Sequence, residues 1–156
     1  MHKINPKGME EKFNHQDIAR NLASQNDGTC VVLDSERNIA RLILRDWTID
    51  ISSQLGSDIE EDLLSRDFSV NAIAVTLGEN IKILDPASGI KDLKRKTLVA
   101  ISQQNLRADP LRLLRAFRFK AQLNFAIDSQ TISWIKLNYS MICQVAPERI
   151  QSEITK

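Results

Sequence analysis

The chain has no P-loop, no Gly-x-Ser-x-Gly turn and no glycine fingerprint of a dinucleotide-binding strand–helix junction. Those absences exclude the Walker-type phosphate cradle, the serine-hydrolase elbow and the Rossmann pyrophosphate site. It has two cysteines, Cys30 and Cys143, far apart in apolar contexts and in no CxxC or Cys/His pattern. A structural zinc site and a disulfide framework are therefore excluded. With no secretory signal, reduced and buried thiols in a cytoplasmic protein are expected. Its two histidines, His2 and His15, are too isolated for a metal cluster or a catalytic triad. No apolar run approaches membrane-spanning length, so no membrane partner is expected. There is no internal repeat and no low-complexity segment. Charge of one sign is also missing: 21 Lys and Arg against 20 Asp and Glu leave a net charge of +1. A uniformly basic nucleic-acid binder is excluded, and any basic site must be local, as in Lys91–Lys96 (KDLKRK) and Arg107–Lys120.

At 156 residues and 42% apolar content, the chain can bury a core as one domain, or as a small domain plus helices of a second. Residues 1–12 (MHKINPKGMEEK) are polar and expected to be disordered. Asn14 is placed to cap a helix over about 15–25, with Asp17 in its first turn. Residues 29–34 (TCVVLD) and 39–44 (IARLIL) read as strands joined by a polar turn, and 47–52 (WTIDIS) as a third. Ser57-Asp58-Ile59-Glu60 has the form of a capping box, predicting a helix from there to about Leu64. Residues 71–77 and 81–84 fit helix-then-strand or two strands. Gly89–Lys94 starts a short helix or turn, and 97–102 (TLVAIS) fits a last strand. Beyond Asp109 the pattern is helical: 109–123, about 129–137, and a start at Pro147. Strands crowd the first two thirds and helices the last, an α+β layout with a mixed sheet followed by a helical extension.

The stretch Asp109–Phe119, DPLRLLRAFRF, carries the most chemical information. Asp109 can cap and Pro110 suits a first helical position. Pro110, Leu114, Phe117 and Ala121 fall on one apolar stripe. Asp109 and Arg112, three apart, project from another face, and Arg115 and Arg118 continue a basic edge. A carboxylate beside a guanidinium offers an acceptor and a fork of donors. That pair can read the polar edge of a nucleobase while the later arginines hold phosphate. The alternative is a solvated charged face with internal ion pairs.

Other candidates also carry two readings. Arg66 can bind a triphosphate, and Asp67 can bind a ribose hydroxyl or orient the arginine. Alternatively, Asp67 and Asn71 end one element and cap the next. Asp50 alternates with Ile49 and Ile51 and so points to the opposite face from them. There it can offer oxygen to Mg²⁺ or simply face solvent. Asp34-Ser35-Glu36 has the spacing of a carboxylate clamp but sits on a predicted hairpin turn. Glu60, Glu61 and Asp62 suit the start of a helix dipole.

Four segments in order, EEDLLSRDFSVNAIAV, LDPASGIKDL, ADPLRLLRAFRFKAQLNF and APERIQSEITK, resemble motifs of the bacterial CCA-adding tRNA nucleotidyltransferases and bacterial poly(A) polymerases. The resemblance runs from about Ile18 to Lys156. It implies a mixed-sheet, polymerase-beta-like nucleotidyltransferase head over 1–102, incomplete here, and an all-helical neck over 103–156. It implies addition of nucleotides to RNA 3′ ends, with ATP and CTP as substrates, Mg²⁺ as cofactor, and RNA, notably a tRNA 3′ end, as partner. Arg66 and Asp67 would hold the incoming triphosphate and ribose, with Asn71 supporting them. Asp85, Gly89, Asp92 and Leu93 would form a springy connector. Asp109 and Arg112 would select ATP or CTP, and Arg115 and Arg118 would extend the nucleotide or RNA contact. Glu148, Arg149 and Glu153 match a mainly structural neck motif.

The chain departs from the family pattern in several places. The Gly-rich turn and the Asp-x-Asp pair that hold two metal ions are absent, and Asp50 matches only the third acidic position. Gln54 and Leu55 stand where an arginine is usual. Ser65 replaces the first of a paired Arg-Arg, and Ala108 replaces the glutamate before Asp109. The expectation is a fragment or subunit of an RNA 3′-end nucleotidyltransferase, inactive by itself: either a piece of a longer enzyme or a chain completed by a second polypeptide that supplies the missing head strands. The other expectation is a nucleotide- and RNA-binding module without catalysis. A head without its first strands exposes a sheet edge, so a homodimer through that edge is also expected.

Overall fold

The computed structural model describes residues 14–36, 38–78 and 80–156. The chain forms two compact units, Met1–Gln54 and Leu55–Lys156. The disorder expected at residues 1–12, and His2, lie outside the described residues.

In the first unit, helix α1 (His15–Gln25) packs on a three-stranded antiparallel meander, β1 (Thr29–Asp34), β2 (Ile39–Leu44) and β3 (Trp47–Ile51), in the order β1-β2-β3. Asn14 caps α1 as expected, its side chain accepting from the Gln16 N–H at 3.1 Å. Ala19 and Ala23 of α1 are buried, as are Ala40 and Leu42 of β2. Small side chains on both elements let helix and sheet approach closely. His15 Nδ1 lies 3.1 Å from Asn38 Nδ2 and 3.2 Å from Ser53 Oγ, tying the β1–β2 turn and the end of β3 to the helix start. Register runs Cys30↔Leu42↔Ile49 across the sheet, with a bulge between Val32 and Asp34 that leaves Leu33 unpaired.

The second unit opens with α2 (Ile59–Leu64). The capping residue is one position later than the sequence pattern predicts. Asp58, not Ser57, accepts from the Glu61 N–H at 2.9 Å, and the Glu61 carboxylate reaches back to the Ser57 N–H at 2.6 Å. The pair Asp58-x-x-Glu61 thus makes a variant of the capping box in which the return bond reaches the residue before the cap. A 3-10 turn (Ser69–Asn71) follows, then the hairpin β4 (Ala74–Val75) and β5 (Ile83–Leu84), which resolves the ambiguous stretch as two strands. Helix α3 (Gly89–Lys94) leads to β6 (Thr97–Leu98), α4 (Gln103–Ala108), α5 (Leu111–Leu123), β7 (Ala126–Ile127), α6 (Ser129–Asn138), a 3-10 segment (Tyr139–Gln144) and α7 (Pro147–Ile154). Strands β6 and β7 pair in parallel, so one ladder crosses the expected head–neck boundary at 102/103.

The core of this unit gathers Phe68, Leu98, Ala100, Leu106, Leu113, Ala116 and Ile135. The predicted apolar stripe of α5 is not the one that is buried. Leu111, Leu113 and Ala116 face inward, whereas Phe117 is 53% exposed. Three leucines in LRLLR allow overlapping stripes, and Leu106 and Ile135 pack against the one containing Leu113. Cys143 is exposed and Cys30 half-buried, which corrects the expectation of two buried thiols.

Asp85, Gly89 and Asp92, expected as a connector, make short directional contacts. Asp85 accepts from the Gly89 and Ile90 N–H groups at 2.5 and 3.1 Å, and Asp92 accepts from Ser69 Oγ at 2.7 Å. Gly89 packs directly on the Ser69 carbonyl. A Cβ there would collide with its oxygen, lying also 2.7 Å from Ser69 C and 2.9 Å from Ile73 Cγ1. Gly89→Ala is expected to destabilise the protein by about 1–3 kcal/mol, the usual range for overpacking, as read by urea denaturation.

Candidate functional site

The segment Ser65–Val70 runs alongside the strand that begins at β6. The Ser69 N–H donates to the Val99 carbonyl at 2.9 Å and the Ile101 N–H to the Asp67 carbonyl at 3.1 Å, flanking a Phe68–Ala100 bridge. This pins Phe68 into the core and fixes the backbone of its neighbours Arg66 and Asp67. Asp67 is only 5% exposed, yet its carboxylate is well satisfied. Oδ1 accepts from the Phe68 N–H at 2.9 Å and Asn71 Nδ2 at 3.1 Å, and Oδ2 accepts from Arg115 Nε at 2.6 Å. Asp67 therefore orients Arg115. Phe119, one turn further along α5, lies 5.1 Å from the Arg115 guanidinium carbon, measured to the ring centroid.

Arg66 is held from two sides. Its Nε and Nη2 donate to Asp62 Oδ2 at 3.2 and 2.8 Å, and its Nη1 donates to the Asn71 carbonyl at 3.0 Å. Burial pushes the Asp62 carboxyl upward, but the Leu55 N–H bond and the Arg66 guanidinium outweigh it and hold the group below its ordinary value. Arg112 Nη1 donates to the carbonyls of Ser65 and Asn105 at 2.8 and 3.2 Å. Asn105 in turn donates to the Leu64 and Arg66 carbonyls, both at 2.7 Å. The side chains of Asp109 and Arg112 do not bond to each other, although the Arg112 N–H donates to the Asp109 carbonyl at 2.9 Å. Asp109 Oδ1 accepts from the Leu111 N–H at 3.2 Å, and Oδ2 accepts from Arg149 Nη2 at 2.9 Å.

These groups converge. Arg66, Asp67, Asn71, Asp109, Arg112 and Arg115 line one cleft of about 560 Å³. Arg149 and Lys156 line it too and were not anticipated as site residues, because forty residues separate Arg149 from Asp109 and no local spacing links them. Arg118 lies outside the lining. Its Nε donates to Glu153 Oε1 at 2.5 Å and its Nη1 to Gln122 at 2.8 Å, with side-chain exposures of 16% for Arg118 and 2% for Glu153. It ties α5 to α7. The cleft thus holds more cationic than anionic side chains, and their donors are anchored at one end while remaining half-exposed. Such a cleft can take a polyanion with a polar planar group.

Asp50 is engaged otherwise. Its two oxygens accept from Arg41 Nε and Nη2 at 2.7 and 2.9 Å, across the β2–β3 register. The Arg41 bond lowers the Asp50 carboxyl below its ordinary value and raises Arg41. Among the described residues no three His, Cys, Asp or Glu side chains cluster as a metal would require. A lone carboxylate whose oxygens both face a guanidinium does not fit Mg²⁺, which prefers several oxygen ligands.

The comparison with known families bears on this cleft. A family model described as the poly A polymerase head domain matches residues 3–99. The chain belongs to that family. It is 43% identical over 137 residues to a CC-adding tRNA nucleotidyltransferase of Synechocystis sp., covering 88% of this chain and 33% of that protein. It is 44% identical over 113 residues to an A-adding tRNA nucleotidyltransferase of Deinococcus radiodurans, covering 72% of this chain and 25% of that protein. Among solved structures, it resembles a tRNA nucleotidyltransferase complexed with a primer tRNA and an incoming ATP analog. The TM-score is 0.76 and the identity 26%, over 91% of this chain and 44% of that one. A CCA-adding enzyme with CTP gives 0.77 and 27%, over 90% and 36%. The chain thus spans a quarter to a third of the length of these curated relatives, and the α+β, polymerase-beta-like head fold is the one its family carries. No helix among the described residues is long and apolar enough to cross a membrane.

Two outcomes follow from the ion pairs. Glu153→Ala leaves the Arg118 guanidinium without its partner in a buried setting, and is expected to cost about 3–5 kcal/mol in thermal or chemical unfolding. Because the folded-state Asp62 carboxyl is lowered, its stabilisation is present above the unfolded-state value and is lost as pH falls through the folded-state one. Asp62→Asn is therefore expected to be less stable near neutral pH and to lose less stability than wild type on acidification. Unfolding curves from pH 7 down through the carboxylate range read both effects.

Proposed function

We propose that the chain is the nucleotide-selecting part of an RNA 3′-end nucleotidyltransferase, acting in the cytoplasm on tRNA or a similar 3′ end with ATP or CTP as incoming nucleotide. The observation that carries the reading is the convergence of Arg66, Arg112, Arg115 and Arg149 with Asp67 and Asp109 on one cleft. Those residues come from three of the four motif segments.

In this reading Arg66 and Arg115 meet the phosphates. Asn71 supports Arg66 through its carbonyl and Asp67 through its amide. Arg112 keeps Nε and Nη2 clear of its bonds to Ser65 and Asn105, so a fork remains for the base edge. Asp109 is the facing acceptor, steadied by Arg149. Arg118 supports the cleft through α7 and Glu153. Residues 1–102 would correspond to the head and 103–156 to the neck. Mg²⁺ ligands would come from segments outside the described residues, in a longer chain or in a second polypeptide, since the described residues do not cluster such ligands. The chemistry of such a metal pair is activation of the attacking hydroxyl and neutralisation of phosphoryl charge.

A second reading, a binding module without transfer chemistry, is favoured by the Arg41–Asp50 pairing and by the absence of Asp-x-Asp from the sequence. Pairing of the outer edge of β1, with the missing strands or with a second copy, remains part of the first reading.

Calorimetry should show ATP and CTP binding to the 156-residue polypeptide. Arg112→Ala should weaken it by about tenfold or more, in keeping with about 1.5–3 kcal/mol for a charge-assisted hydrogen bond. Identical titration curves for the two proteins would remove the base-reading role. The same polypeptide is expected to incorporate no labelled ATP or CTP into tRNA. Co-expression with a segment bearing a Gly-rich turn and Asp-x-Asp should restore incorporation. Failure to restore it, with nucleotide binding intact, favours the binding module.

A further inference from the structure

Helix α3 carries a concentration of positive charge that the cleft does not use. Lys91, Lys94, Arg95 and Lys96 fall within six residues, all exposed, and none makes a side-chain hydrogen bond or ion pair with the described residues. The one acidic residue among them, Asp92, turns the other way and accepts from Ser69 Oγ at 2.7 Å. Asp85, which lines one groove with Lys91, Lys94 and Arg95, has its oxygens bonded to the Gly89 and Ile90 N–H groups. Neither carboxylate pairs directly with these cations, so their ammonium and guanidinium donors stay open to a ligand. This contrasts with the cleft, where Arg66, Arg115 and Arg149 are each ion-paired.

Geometry groups the charges further. Lys91, Lys94 and Arg95 stand at i, i+3 and i+4, so they share a helix face with side-chain roots roughly 5–6 Å apart. They line an open groove of about 520 Å³ with Ser88 and Ile90. Lys96 follows in the left-handed region at φ 52°, which turns the chain sharply into β6 beside them. Two or three basic residues near a helix C-terminus suit its dipole. Four, in a chain of net charge +1, are more than that role requires.

We propose that Lys91, Lys94 and Arg95, with Lys96, form a second contact surface that grips the phosphodiester backbone of RNA, separate in its residues from the nucleotide cleft. Long, unpaired, flexible cations in an open groove fit a sequence-independent backbone grip. They lack the acceptors and aromatic platforms that would read bases. The choice of RNA among polyanions rests on the proposed function, whereas the existence of a cationic contact surface does not.

The test is fluorescence anisotropy with a labelled tRNA transcript and the full 156-residue chain, over a salt series. The variants are K91E/K94E/R95E and a scattered control of equal charge change, R20E/K82E/K136E, all at exposed positions. The patch variant should bind the tRNA at least tenfold more weakly at about 100 mM salt, and its log–log salt slope should flatten by about 2–3, near 0.7–0.9 per lost phosphate contact. The scattered control should stay within about threefold of wild type. K91Q/K94Q/R95Q, which removes the charge without reversing it, should show the same flattening, and circular dichroism should show all variants folded. Unchanged tRNA affinity and slope in both patch variants, as would follow if the patch served an acidic protein, overturns the inference. Equal losses in the scattered control overturn it as well. ATP and CTP calorimetry on the patch variants separates the two readings. Retained nucleotide binding with lost RNA binding supports the patch. Nucleotide binding absent even in wild type counts against the proposed function, whatever the RNA result.

Discussion

The Asp67 carboxylate is the interaction around which the second unit is organised. It is almost wholly buried and accepts from one backbone N–H, one amide and one guanidinium. A buried charge without such partners would be strongly destabilising. Its partners therefore determine which conformations are accessible. Phe68, held on one side by the backbone bridge to Ala100, enters the core. Arg115, held on the other, fixes the rotation of α5 about its axis, and that rotation brings Asp109 and Arg112 to the cleft. The same rotation buries Leu113 and Ala116 and leaves Phe117 outside.

The arginines of α5 show how one repeated spacing serves different ends. Arg112 is anchored by two carbonyls, Arg115 by a buried carboxylate and Arg118 by Glu153. Anchoring one end of a long side chain removes rotamer freedom before any ligand arrives, so less ordering entropy is lost on binding. Only where the other end stays exposed, as at Arg112 and Arg115, does that preparation serve recognition. Arg118 is enclosed, and its ordering stabilises the packing of α5 on α7 instead.

Much of this was legible from residue order. The β1–β3 meander follows apolar-rich runs separated by polar turns, and Asn14 capped its helix as expected. That Arg66, Asp67, Asn71, Asp109, Arg112 and Arg115 share one cleft was legible in part: helical spacing aligns Arg112 with Arg115 on α5, Asp109 stands just ahead of that helix, and a motif segment groups the others. The rest depended on tertiary context. Helix α4 is short and polar, and its start is marked only by Ser102 accepting from the Asn105 N–H. Strand β7 has two residues and exists through its parallel pairing with β6. The α5 stripe was misassigned because leucines at 111, 113 and 114 support more than one core face. The Arg149–Asp109 and Arg118–Glu153 bonds join residues 40 and 35 apart, beyond any local periodicity.

The bulge in β1 has a further consequence. The strand's ladder to β2 is regular from Thr29 to Val32, then shifts at Leu33 before resuming at Asp34. A bulge bends its strand and increases the local twist. A new strand laid along the outer edge of β1 would therefore find a straight, matching template only over Thr29–Val32. The bulge thus shortens the stretch of that edge along which a newcomer could pair regularly.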